Sequence, residues 1–247
     1  MRFACKAGTL FATLLSVNPA FAGPVAPVAN LPAIPNVPNS SSLPWSIVIL
    51  LTLLTLIPTV LLSMTPFVRL LVVFHFLRQA LGTQTTPSNQ TLIGLALVLS
   101  WFLLQPTTAA IQQQAIVPFQ QHRVSALQAV ELGAQPLKHF MLHYVREKDV
   151  ALFVEFSRQS RPNRPDDLPM SIVAPAYLLS ELKAGFQIGA ILFLPFLVVD
   201  LVVAAVTTSI GMLQLPPVVI STPLKIILFV MVDGWNLLIG SLMRSFA

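Results

Sequence analysis

Residues 64–105 read MTPFVRLLVVFHFLRQALGTQTTPSNQTLIGLALVLSWFLLQ, and the fold turns on how this stretch is read. Its first part is mostly apolar, with Arg69, His75 and Arg78 as the only basic groups, as in a short amphipathic helix. Gly82 follows, and then a run of Thr, Gln, Pro, Ser and Asn that carries no charge. Gly82 suits the left-handed position that ends a helix, and Ser88 or Asn89 can cap the next one. From Thr91 to Ile111 the chain is again uncharged and long enough to cross a bilayer core, which takes about 20 residues. The stretch predicts a helical hairpin with a polar elbow.

The chain around it has the composition of a membrane protein. Of 247 residues, 55% are hydrophobic and only 9% charged, where soluble domains carry about 25% charged residues. The formal charge of +5 invites a nucleic-acid reading. The basic residues, however, form no stripe interleaved with aromatics, so no nucleic-acid partner is expected.

The beginning of the chain reads as a secretory signal peptide over residues 1–22. Arg2 and Lys6 form a basic start, residues 7–17 an apolar core, and Ala20-Phe21-Ala22 a small-residue cleavage site before Gly23. The alternative is an uncleaved short anchor. The single cysteine, Cys5, lies in that segment, so a cleaved chain has no thiol for disulfides, metal or nucleophilic chemistry. Residues 23–44 hold Pro24, Pro27, Pro32, Pro35, Pro38 and Pro44 and read as an extended leader, because helices do not survive that proline spacing.

Four apolar runs follow, over 45–63 (with Pro58 as a kink), 91–111, 186–210 and 218–243. They divide the chain into an N-terminal helical hairpin with apolar spans (45–111), a charged helical middle region (112–185) and a C-terminal helical hairpin (186–247). In the middle region Pro136 can start a helix with Leu137, Phe140, Met141 and Tyr144 at helical spacing; Val150, Phe153, Val154 and Phe156 continue the apolar set, and residues 161–169 read as a loop. Four crossings after a cleaved signal put both mature ends outside, with the short segment bearing Arg69 and Arg78 as a cytoplasmic elbow. Prolines and charges inside the apolar runs suit protein neighbours better than lipid. The predicted class is therefore all-α: membrane-associated helical hairpins with a helical periplasmic middle region, whose helices could equally pack against other subunits.

Asp200 and Lys225 are charges inside the third and fourth runs. A charge at membrane depth is costly unless paired or hydrated, so the two are predicted to pair. The alternatives are independent snorkelling and, for Asp200, a proton-carrying role. His139 and His143 have metal-binding spacing, but the intervening residues lack a glutamate and no third ligand is evident, so no metal is predicted. With no G-x-S-x-G, P-loop or dinucleotide fingerprint, neither an enzyme nor a cofactor is expected.

The stretch at 64–106 resembles the signature of the FliP family of flagellar export proteins, shared with the SctR subunits of virulence type III secretion. Further matches are the runs at 133–137 (GAQPL), 146–149 (REKD), 175–183 (PAYLLSELK), 186–189 (FQIG) and 228–238 (LFVMVDGWNLL). The signal peptide and the Asn89-Gln90 pair look flagellar rather than virulence-type.

The resemblance implies a core subunit of the flagellar type III export gate. Such a subunit forms a homo-oligomer (a pentamer) and joins FliQ-like and FliR-like subunits in an inner-membrane pore for unfolded flagellar subunits. FlhB-like and FlhA-like components are the further partners it implies. It also implies a constricting plug at Phe140 and Phe153, and a methionine-rich gate loop at residues 211–217. Here the chain departs from the family, since Met212 is followed by Leu213 and Gln214. The same gate in a virulence system is one alternative, and an ion or proton transporter using Asp200 and Lys225 is another.

Overall fold

The computed structural model describes residues 45–157, 164–212 and 216–246. The signal peptide and leader, with Ala22 and Gly23, lie outside the described residues, as do Leu213 and Gln214 of the expected gate loop. Among the described residues every regular element is a helix, as expected.

Helix α1, Trp45–Ser63, contains Pro58 and buries none of its side chains. The chain divides inside it, into Met1–Ile49 and Leu50–Ala247. The first unit is described only as the exposed helix of Trp45–Ile49.

The second unit is organised on two helices, α2 (Phe67–Ala80) and α8 (Met170–Ser209). Leu70, Val73, Phe74 and Ala80 of α2 are wholly buried, with Leu77 close behind. Gly185 and Gly189, one turn apart on α8, let the two backbones approach closely: a Cβ at Gly189 would lie 2.5 Å from the Phe76 ring, and one at Gly185 3.0 Å from Val72. Small residues at such spacing are how helices gain close packing where apolar surroundings remove the hydrophobic drive.

The elbow forms from the residues expected to make it. Gly82 takes φ +75°, the left-handed conformation open to a residue without Cβ. Ser88 caps α3 (Asn89–Leu103) by accepting a hydrogen bond from the Thr91 N–H.

Beyond α3 come α4 (Gln105–Ile111), a π-helical turn (Gln112–Ile116) and α5 (Val117–Gln120). Helix α6 (Ala126–Tyr144) is started by a Ser125–Gln128 capping box, and α7 (Glu147–Ser157) follows after a two-residue elbow. A 3₁₀ turn at Pro165–Asp167 leads into α8, and α9 (Pro217–Met231) and α10 (Gly234–Arg244) complete the fold.

The backbone corrects several expectations. Pro136 does not start a helix but lies inside α6, which begins ten residues earlier at Ala126. The run at 91–111 bends by 60° between α3 and the helix at Gln105–Gln120. Pro106, in the first turn of α4, cannot donate its part of the helix ladder, and this accounts for the break. The run at 218–243 bends by 66° between α9 and α10, where Asp233 adopts φ +51°. The boundary drawn between 185 and 186 falls inside α8, a continuous 40-residue helix that holds both Pro175 and Pro195. By length and composition α1 and α8 can each cross a membrane, and the count rises to four if each bent pair acts as one span.

Candidate functional site

Helices α6 and α7 form a hairpin that carries both phenylalanines singled out in the sequence. Phe140 and Phe153 are half-buried and pack on a shared cluster of Met141, Val154, Val173 and Tyr177. The Phe140 ring lies 4.9 Å from that of Tyr144 and 6.2 Å from that of Tyr177. It also borders an open cavity of about 640 Å³, together with His139, His143, Lys138 and Asp166. Bulky apolar rings beside an open space can exclude water and ions yet move when a chain must pass.

The hairpin is tied to α8 at its elbow. The Arg146 N–H donates to Ser180 Oγ at 3.1 Å, and that hydroxyl donates to Asp149 Oδ2 at 2.7 Å. Lys183 bonds the other carboxylate oxygen of Asp149, and the Arg146 guanidinium reaches Gln187 Oε1 at 2.5 Å. Burial pushes the Asp149 carboxyl up. The Lys183 ammonium, the Ser180 hydroxyl and the Arg146 guanidinium together outweigh burial and hold it below the ordinary carboxylate range. The Tyr144 hydroxyl donates to the Phe246 carbonyl at 2.6 Å.

The two arginines expected to anchor one elbow part company. Arg78 stays there and donates to Asn89 Oδ1 at 2.5 Å. Arg69 lies within α2 rather than a loop and is buried against Glu181 of α8, its Nε 2.9 Å from Oε2 and its Nη2 2.5 Å from Oε1. Its third donor atom reaches Ser245 Oγ at 3.1 Å, and the guanidinium stacks 3.8 Å from the centre of the Phe246 ring.

Asp200 and Lys225 meet across α8 and α9. Lys225 Nζ donates to Oδ2 at 2.5 Å while Ser221 Oγ donates to Oδ1 at 2.6 Å. Met212 is exposed just past the end of α8, its N–H bonded to the Thr207 carbonyl and its neighbour Gly211 at φ +82°. The structure thus gathers Phe140 with Phe153 and Asp200 with Lys225.

Sequence reasoning assigned no role to Asp149, Ser180 or Glu181, although the runs that contain them were noted. The signal was available. Arg69 and Glu181 are charges in otherwise apolar helices, and the logic that pairs Asp200 with Lys225 applies equally to them.

Known sequences converge on one family. The model of the FliP family matches residues 50–242. Flagellar biosynthetic protein FliP of Bacillus subtilis (strain 168) is 44% identical over 200 residues, covering 81% of this chain and 90% of the relative. That of Pectobacterium carotovorum subsp. carotovorum is 48% identical over 198 residues, covering 80% and 77%. That of Caulobacter vibrioides (strain ATCC 19089 / CIP 103742 / CB 15) is 45% identical over 197 residues, covering 80% and 74%. With helices apolar enough to cross a membrane and these relatives across four-fifths of its length, the chain belongs to the FliP family of flagellar biosynthesis proteins.

Proposed function

We propose that this chain is a core subunit of the flagellar type III export gate in the bacterial inner membrane, at the flagellar basal body, with part of the assembly exposed on the periplasmic side. Several copies form a ring, a pentamer, and join FliQ-like and FliR-like subunits around a pore for unfolded flagellar subunits. FlhB-like and FlhA-like export components are its further partners. The observation that carries the reading is the α6–α7 hairpin, which holds the half-buried Phe140 and Phe153 on one cluster beside an open cavity.

Exposed apolar surface supports assembly. Trp101, Leu201, Val230 and Met231 are each at least 66% exposed within the single chain, on helices that lipid or neighbouring subunits must cover. In the gate, Phe140 and Phe153 form the plug. Met212, Leu213 and Gln214 act as the gate loop, Arg78 anchors the cytoplasmic elbow while Arg69 ties α2 to α8, and the signal is cleaved between Ala22 and Gly23. The Asp200–Lys225 pair supports a structural role rather than ion transport, because both carboxylate oxygens already have partners.

The test is Phe140→Ala in the native host, with motility, ion leakage across the inner membrane and recovery of the intact complex measured together. An assembled complex that leaks at rest is the expected result. An assembled complex with normal leakage and motility removes Phe140 from the seal and overturns the plug.

A further inference from the structure

We propose that Asp149, acting through Ser180 and Lys183, is the positioning residue for the two plug phenylalanines, a role that rests on the gate reading above. The argument starts from the brevity of the elbow. Helix α6 ends at Tyr144 and α7 starts at Glu147, so only Val145 and Arg146 link them. Phe140 lies about one helical turn before the elbow and Phe153 one turn after Asp149. A small rotation at the elbow therefore carries both rings with it.

A polar network at the elbow opposes that rotation. Asp149 sits in the first turn of α7, where its charge also complements the helix N-terminus. Its side chain is 3% exposed, whereas that of Lys183 is 48% exposed. Ser180 links the carboxylate to the elbow backbone, since its hydroxyl accepts from the Arg146 N–H and donates to Asp149. A buried carboxylate with fixed partners tolerates few positions, because each displacement strands a charge or a hydroxyl without a hydrogen bond. The apolar cluster beneath the rings is less directional, so packing alone allows several angles of the hairpin that the network excludes.

The experiment uses the full export complex from the native host, with ion leakage expressed per assembled complex. Asp149→Asn keeps the shape but removes the charge, and Lys183→Gln removes the half-exposed cation while leaving an amide that can still donate to Asp149. Both are expected to yield complexes of normal composition that leak at rest, as is expected of Phe140→Ala. Lys183→Arg, which keeps a cation on Asp149, is expected to remain tight. A residue that merely stabilised the fold would lower the amount of complex and leave its leakage unchanged.

Tight Lys183→Gln complexes beside leaking Phe140→Ala complexes overturn the positioning role and leave the gate reading standing. Failure of Lys183→Gln to assemble, or equal leakage from Lys183→Arg, also overturns it, because the network would then serve folding or require lysine for another reason. Tight Phe140→Ala complexes remove the gate reading and the positioning role with it.

Discussion

Arg69 and Glu181 stand 112 positions apart in the chain and face each other in a two-pronged ion pair at 2.9 and 2.5 Å. Glu181 is wholly buried and Arg69 nearly so. The pair clamps α2 to α8, and Ser245 and Phe246 close over the guanidinium. Breaking such a pair from one side leaves a stranded charge, at a cost of about 3–5 kcal/mol, whereas apolar replacement of both partners is often nearly neutral. Glu181→Leu and Arg69→Met are therefore each expected to lower the melting temperature of the purified protein sharply. The double variant Glu181→Leu/Arg69→Met is expected to recover much of the loss in a double-mutant cycle.

The contact between α2 and α8 also makes a prediction for the glycines. Gly189→Ala would push a methyl group to 2.5 Å from the Phe76 ring and 2.9 Å from its Cβ, too close for a rotamer change to relieve. Overpacking of this kind costs about 1–3 kcal/mol. Gly94→Ala on α3 meets nothing within 4 Å and is expected to gain about 0.5–1 kcal/mol from helix propensity. Thermal unfolding of the two variants in the same detergent compares them directly.

The ion pair between Asp200 and Lys225 separates two roles. Asp200→Asn alone leaves the buried Lys225 ammonium without its counter-charge and is expected to reduce complex assembly. Adding Lys225→Met removes that stranded charge and is expected to restore both assembly and motility. A proton-carrying Asp200 predicts the opposite: an assembled double variant that does not export.

Asp149 gives a prediction in pH. Its carboxyl is held below the ordinary value of 3.8, so its ionised form is favoured by the fold. The resulting stability is fully present above that value and is lost as pH falls through the lower folded-state value. The difference in melting temperature between the wild-type chain and Asp149→Asn is expected to be constant from neutral pH down to about 5 and to shrink below about 4. A difference that grew on acidification would show that the carboxylate is not favoured by the fold.

Tyr177 predicts a gain rather than a loss. Its side chain is wholly buried, and its hydroxyl has no hydrogen-bond partner among the described residues. A buried hydroxyl without a partner costs about 1–3 kcal/mol. Tyr177→Phe keeps the ring beside Phe140 and is expected to leave the melting temperature unchanged or raise it. A clear drop would mean that the hydroxyl is bonded in the working protein.

The sequence by itself determined the helical class, the apolar runs and the polar elbow, because these rest on short-range chemistry. Period, composition and a few residues such as Gly82 and Ser88 act within one or two turns of where they stand. It also paired Asp200 with Lys225 but offered no partners for Arg69, Asp149 or Glu181. Only the tertiary structure decided who those partners are, since pairing across 112 residues depends on how α2 lies against α8. Arg69 looked like an elbow anchor because its only visible neighbours were those along the chain.

The same reason explains the missed continuity of α8. Glu181 and Lys183 made its first half look aqueous, but Arg69 and Asp149 pair with them from other elements, and the helix runs through residue 186 without a break. Conversely the runs at 91–111 and 218–243 looked straight because hydropathy averages over Pro106 and Asp233, where the backbone turns. Local pattern sets what each segment can be, and packing sets where it bends and which charges it can keep.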